Sequence, residues 1–249
     1  MTPLIISKFG IWTLSTTDWI SLIAATTNAF NGVLLARRPD HYRHFTVIGV
    51  IILGYIGGIG GGIVRDILVN KVPTPLENPW FLVACLAAAT AALLIDYYSE
   101  LRFKDGLFQF MTAFSLPWYA IVGVQAALAA NLGYFAAVII GVIATTAGRW
   151  IIDSACLVIP KQLVRGEHFV AAAILTGIAY LVCTQTLGWD VVPSTAVAFF
   201  AGFGYRLISQ WLGWEEWEPW EPAPLSEGEK ARKTLGEGLH AEFNPNNDA

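Results

Sequence analysis

Seven runs of roughly 20 apolar residues recur along the chain, near residues 18–36, 46–69, 79–96, 107–129, 133–158, 168–187 and 190–211. At about 1.5 Å of rise per residue, each is long enough to cross about 30 Å of hydrocarbon as a helix. A backbone in lipid must satisfy its own polar groups, so runs of this kind specify an all-α polytopic membrane protein. A charged fraction of 14% beside 55% hydrophobic residues excludes an ordinary soluble domain, in which charge runs near a quarter.

The connections between runs set an orientation, because Lys and Arg are retained on the cytoplasmic side during insertion. Arg37, Arg38 and Arg43 lie between spans 1 and 2, Arg102 and Lys104 between 3 and 4, and Lys161 and Arg165 between 5 and 6. The opposite connections carry Lys71, and the N-terminal segment carries Lys8. The N-terminus is therefore expected outside and the C-terminus in the cytoplasm, which an odd number of spans also requires. Residues 1–17 form an extracytoplasmic segment with no basic start and no clear cleavage site, so no cleaved signal peptide is expected. Residues 212–249 are polar, Pro-rich and acidic and read as a disordered cytoplasmic tail. Trp211, Trp214, Trp217 and Trp220 suit the headgroup level at its start.

Laid on itself at an offset of 87 residues, the chain pairs Gly54 with Gly141, Gly61 with Gly148, Asp66 with Asp153 and Pro73 with Pro160. The repeats are residues 18–96 and 107–187, three helices each, with a seventh helix at 190–211 left over. Units crossing the membrane an odd number of times alternate in direction, so the repeats are expected to be inverted. In inverted repeats, a glycine-interrupted helix at matching positions of the two halves points to a permeation or substrate site. Spans 2 and 5 fill that description. Six glycines fall within residues 54–62 (Gly54, Gly57, Gly58, Gly60, Gly61, Gly62), and Gly141 and Gly148 punctuate span 5. So dense a cluster predicts helix breaks at spans 2 and 5, whose unwound carbonyls would face a wet cavity. The spacing of Gly54, Gly58 and Gly62 also fits close helix packing without any pore.

Ionisable residues at membrane depth mark functional sites. Arg65 and Asp66 follow the first glycine cluster, and Arg149 and Asp153 stand four residues apart in the second half. Asp66 falls near the outer end of its span and Asp153 near the inner end, one Arg/Asp set on each flank of a central constriction. The same charges can instead close ion pairs between the halves. Thr145 and Thr146 line a pathway or cap their own helix backbone. Asn28 and Asn31 face a pore or bond a neighbouring helix, and Pro117 is expected to kink span 4. The four histidines show no ligand or catalytic grouping, and Cys85, Cys156 and Cys183 sit singly in apolar runs, so neither metal nor disulfide is expected. No hydrolase, zincin or nucleotide-binding motif occurs, so no enzyme and no cofactor are expected.

The stretch GGIGGGIVRDIL followed by VPTPLENPWFLVA, DGLFQF opening the fourth span, and PKQLVRGEHFVAAA in the second half resemble the prokaryotic branch of the trimeric intracellular cation (TRIC) channels, small membrane proteins also labelled putative glycine transporters. The resemblance covers roughly residues 18–210. It implies a homotrimer in a prokaryotic inner membrane, contacting lipids and no nucleic acid, whose protomers each pass K+ and Na+ between kinked helices 2 and 5. Gly57, Gly58, Gly60, Gly61, Gly62, Arg65 and Asp66 carry over as the first kink and its flanking charges. The second half departs from the pattern, reading ATTAGRWIID with fewer glycines, and residues 107–129 hold no basic residue of the kind linked to lipid regulation in animal members. The alternative function is a facilitator of glycine or another small zwitterion, with Arg65 for the carboxylate and Asp66 for the ammonium.

Overall fold

The computed structural model describes residues 15–98, 101–160, 162 and 168–216, with backbone alone at 101–104. The expected N-terminal segment before Ser15 and the acidic tail beyond Glu216 lie outside the described residues.

Every described element is helical: α1 (Thr16–Ala36), α2 (Val47–Leu68), a single turn α3 (Thr74–Glu77), α4 (Pro79–Tyr98), α5 (Leu101–Ala129), α6 (Tyr134–Ala155), α7 (Phe169–Leu181) and α8 (Val191–Trp211). Seven of them are long and apolar enough to cross a membrane, the sixth by running from α7 into the π turn Val182–Thr186. These are the seven apolar runs of the sequence. The largest discrepancy is α5, which starts six residues before its apolar run, in the polar stretch Arg102 to Gly106. Apolarity marks the hydrocarbon-spanning part of a helix and not its hydrogen-bonded end.

The ends obey capping chemistry. Ser15 and Asp18 form a reciprocal capping box at α1, and the Thr46 hydroxyl accepts from Gly49 N–H at 3.1 Å at α2. Pro75 sits in the first turn of α3, where its missing N–H costs nothing.

α1 lies against α2, α4 and α5; α2 crosses α6; α7 and α8 pack on α5. Pro117 lies inside α5 without ending it and meets the α8 backbone at Gly202. An aromatic layer of Phe114, Trp118, Phe199 and Phe203 joins α8 to α5, with Trp118 and Phe199 centroids 4.5 Å apart.

The offset of 87 reappears in the backbone. α2 and α6 both contain 22 residues, and their first and last residues correspond at that offset. The four non-glycine residues with positive φ among the described residues pair the same way, His44 with Asn131 and Asn70 with Leu157. Lys71 N–H donates to the Asp66 carbonyl at 2.8 Å, and Val158 N–H to the Asp153 carbonyl at 2.9 Å, closing both helices with one turn type.

The expected breaks in spans 2 and 5 are corrected by the structure: α2 and α6 are continuous α-helices through all their glycines. The glycines remove side chains where helices touch. A Cβ on Gly58 would stand 2.8 Å from the Ala25 carbonyl oxygen, and one on Gly54 2.9 Å from that of Ala29, both on α1. On the next face of α2, a Cβ on Gly61 would collide with the Ala144 carbonyl of α6. Reciprocally, a Cβ on Gly148 of α6 would collide with the Gly57 carbonyl of α2. Two stripes of four-residue spacing, Gly54/Gly58 and Gly57/Gly61, thus let α2 approach two helices at backbone distance. Gly61 and Gly148 correspond at the offset of 87, as do Gly57 and Ala144, so the crossing contacts itself reciprocally as a two-fold interface does.

Candidate functional site

Asp66, in the last turn of α2, is fully buried. Its Oδ1 accepts from Arg65 Nε at 2.7 Å, and its Oδ2 accepts from the Thr74 backbone N–H at 2.7 Å, so one carboxylate ties α2 to the turn that begins α3. Lys71 reaches Thr74 Oγ1 at 3.1 Å. These groups border a cavity of about 340 Å³ between the start of α1, the end of α2 and the end of α5, with Asp18, Ser21 and Gln125 on its other walls. Its charged lining is balanced, Asp18 and Asp66 against Arg65 and Lys71. The Gln125 side chain donates to Tyr180 Oη at 3.0 Å while its Oε1 is buried without a partner.

At the other end of α1 the second carboxylate, Asp153, is also fully buried. Arg149 stands beside it, Nε to Oδ2 4.0 Å, one turn earlier on α6. The nearer contact comes from the loop between α1 and α2: His41 Nε2 lies 2.8 Å from Asp153 Oδ1, and its Nδ1 lies 2.9 Å from Asp40 Oδ1. Each ring nitrogen of His41 thus lies within hydrogen-bond distance of a carboxylate oxygen. His41 has no exposed surface and pins the loop to the end of α6. Replacing it by alanine leaves a carboxylate oxygen buried without its donor, at a cost of about 1–3 kcal/mol. His41→Ala is expected to unfold at lower temperature in detergent than wild type; an unchanged midpoint would show that the contact contributes nothing.

Between these ends lies the α2–α6 crossing. The Tyr119 hydroxyl of α5, itself buried, donates to the Gly58 carbonyl of α2 and adds a third helix to it. Gly60 faces Ile151 of α6, Gly62 faces Pro75 of α3, and Gly141 faces the Ala120 carbonyl of α5. Thr145 and Thr146 bond their own helix, to the carbonyls of Gly141 at 2.7 Å and Val142 at 3.0 Å. Thr145 nonetheless borders a second, smaller cavity of about 30 Å³ with Asn28, Asn31, Gly57, Thr112 and Arg149. The predicted residues therefore separate: Arg65 and Asp66 stand at one end, Arg149 and Asp153 at the other, Gly57, Gly60, Gly61 and Gly148 in the α2–α6 crossing between them, Gly54 and Gly58 against α1, Gly62 against α3, Gly141 against α5, and Thr145 and Thr146 bonded to their own helix.

His41, Tyr119, Thr112 and Gln125 were not singled out in the sequence. His41 is 112 residues from Asp153, and Tyr119 is 61 from Gly58. No local spacing announces such contacts, although a polar side chain inside an apolar run is the signal that would have raised Thr112, Tyr119 and Gln125. Among the described residues no group of three His, Cys, Asp or Glu could hold a metal ion. Cys85, Cys156 and Cys183 are buried free thiols.

A family model described as Glycine transporter matches residues 18–97 and 109–185. The UPF0126 inner membrane protein YadS of Escherichia coli K12 is 27% identical over 169 residues, 68% of this chain and 79% of that protein. A UPF0126 membrane protein of Deinococcus radiodurans is 30% identical over 164 residues, 64% of this chain and 72% of its own. The fold is similar to that of the TRIC trimeric intracellular cation channel orthologue from Rhodobacter sphaeroides, with a TM-score of 0.71, 25% identity, and coverage of 81% of this chain and 100% of that one. A prokaryotic TRIC channel crystallised in 0.5 M KCl gives a TM-score of 0.70 at 23% identity, over 79% of this chain and 96% of its own.

Proposed function

The chain belongs to the family described as Glycine transporter, is similar in sequence to UPF0126 membrane proteins and in fold to TRIC channels, and from that premise we propose that it is a passive monovalent cation channel of a prokaryotic inner membrane. The observation that carries the proposal is the pair of buried carboxylates, Asp66 and Asp153, at repeat-equivalent positions near opposite ends of the bundle, with a cavity on each side of a glycine-rich helix crossing. A cation entering from one end meets the larger cavity, crosses beside α2 and α6, and leaves past Arg149 and Asp153. Backbone contact at the crossing and the Tyr119 bond to Gly58 hold this conformation shut, and conduction requires them to part. The lining offers a few hydroxyl and amide oxygens without a closed carbonyl ring, so K+ and Na+ pass with little discrimination. The repeats are inverted in the membrane, the N-terminus is outside, and the protomers assemble as a homotrimer with a pathway in each, in keeping with the trimeric relative.

Planar-bilayer recording of the purified protein under asymmetric KCl tests the proposal. Unitary steps reversing near the K+ equilibrium potential are expected. A silent bilayer from folded protein, or an anion-selective reversal, would refute it.

One observation favours a second reading. The 340 Å³ cavity carries both signs of charge, Arg65 and Lys71 opposite Asp18 and Asp66, as a glycine zwitterion would need. Counterflow of labelled glycine in proteoliposomes separates the two: saturable exchange without unitary current belongs to a carrier.

A further inference from the structure

We infer that Lys71 is an electrostatic brake on cation entry at the end of the bundle where α1 begins and α2 ends, opposed by Asp18 on the wall of the same cavity. The role rests on the channel reading and assigns the rate of entry at that end to one pair of side chains.

Lys71 stands where a basic residue is disfavoured. On the orientation proposed above it is the only Lys or Arg in the three extracytoplasmic connections, residues 69–78, 130–133 and 187–190, although basic residues are retained preferentially on the cytoplasmic side. Its backbone is fixed by the turn that closes α2, with Asn70 at a φ of 55° and the Lys71 N–H donating to the Asp66 carbonyl at 2.8 Å. Its ammonium is held by Thr74, whose Oγ1 accepts from Nζ at 3.1 Å. Thr74 is itself tied to Asp66 through its own N–H, so the positive charge is anchored at the wall of the 340 Å³ cavity.

The charges of the lining do not all act on a passing ion. Arg65 and Asp66 close on each other, with Nε and Nη2 both 2.7 Å from Oδ1, and present a neutral pair. Among the described residues Lys71 makes no ion pair, and its hydrogen-bond partner is a neutral hydroxyl. Asp18 Oδ2 accepts from Ser15 N–H at 3.1 Å and from Ser15 Oγ at 2.7 Å, neutral donors that leave its charge in place. That carboxylate sits in the first turn of α1, where the positive end of the helix offsets part of it, so the ammonium has the stronger field of the two. A fixed positive charge at a cavity mouth lowers the local cation concentration and slows entry. Salt screens the effect, over about 30 Å at about 0.01 M and about 3 Å at about 1 M.

Charged thiol reagents on Lys71→Cys test this role in protein already folded and inserted, since the three native cysteines are buried. Sulfonatoethyl and trimethylammonioethyl methanethiosulfonates leave labels of similar size and opposite sign. In planar bilayers at about 10 mM KCl the anionic label is expected to give a unitary conductance severalfold above the cationic one, and the two should converge at about 1 M, where the field is screened within about 3 Å. At the same low salt, Lys71→Gln, which keeps a donor for Thr74 without the charge, should exceed wild type, Lys71→Arg should match it, and Asp18→Asn should fall below it. Equal conductance for the two labels at low salt, or a difference that persists undiminished at high salt, overturns the role of the charge. Folded wild-type protein without unitary current removes the channel reading and the brake with it, whereas current indifferent to the sign of the label removes the brake alone.

Discussion

Gly61→Ala and Gly148→Ala are each expected to lower the thermal midpoint of the protein in detergent, while Gly106→Ala leaves it unchanged or raises it. Alanine is the better helix former by about 1 kcal/mol, so propensity alone would make all three stabilising. At Gly61 the new methyl meets the Ala144 carbonyl, and at Gly148 the Gly57 carbonyl, both backbone atoms that cannot rotate away. Separating two packed helices to admit a methyl costs about 1–3 kcal/mol by the usual scale of overpacking, which cancels the propensity gain and more. Gly106, in α5, has nothing within 4 Å of its would-be Cβ and keeps the gain. The double variant should cost less than the sum of the singles, because both methyls enter one interface and the first already opens it. If Gly61→Ala and Gly148→Ala were as stable as wild type, the glycines would not be there for contact, and the helix-breaking role expected from sequence would have to be reconsidered.

Asp66→Asn is expected to be strongly destabilising. The carboxylate accepts from Arg65 on one oxygen and from the Thr74 N–H on the other. An asparagine can meet only one of these donors, since its NH2 group must face either the guanidinium or the backbone N–H. It also leaves the Arg65 charge, 5% exposed at its side chain, without the carboxylate beside it. Removing one partner of a buried pair costs about 3–5 kcal/mol, so a sharp fall in the midpoint and in the yield of monodisperse protein should follow. Asp66→Glu keeps the charge but pushes it about one methylene farther, and should recover part of the loss. A wild-type midpoint for Asp66→Asn would mean that Arg65 finds another anion or water, and would weaken the case for a fixed charge pair beside the larger cavity. For current, a channel whose pathway passes Asp66 should show reduced cation flux in the folded fraction of Asp66→Glu, the variant that retains the charge.

The apolar runs were readable because lipid demands about 20 apolar residues per crossing, a constraint local in sequence. The offset of 87 was readable because duplicated segments keep their order. It predicted correspondences, Asp66 with Asp153 and Gly61 with Gly148, that reappear in helix ends, turn geometry and the reciprocal contact between α2 and α6. The reading of glycine as a break failed for a definite reason. Propensity describes an isolated helix in water, whereas in α2 the missing side chains let α1 and α6 approach, and that contact offsets the weak propensity.

What the sequence by itself determined is the solvent of this chain, its seven spans, its repeat and the matched pair of acid groups Asp66 and Asp153, all properties of composition and periodicity along one dimension. What only the tertiary structure decided is which partner each polar group meets: His41 on Asp153 across 112 residues, Tyr119 on Gly58 across 61, and Asn31 on Thr112 across 81. A hydrogen bond is specified to a fraction of an ångström, and at such separations its partners are set by helix crossings, which depend on every side chain in the interface and on no short pattern in the sequence.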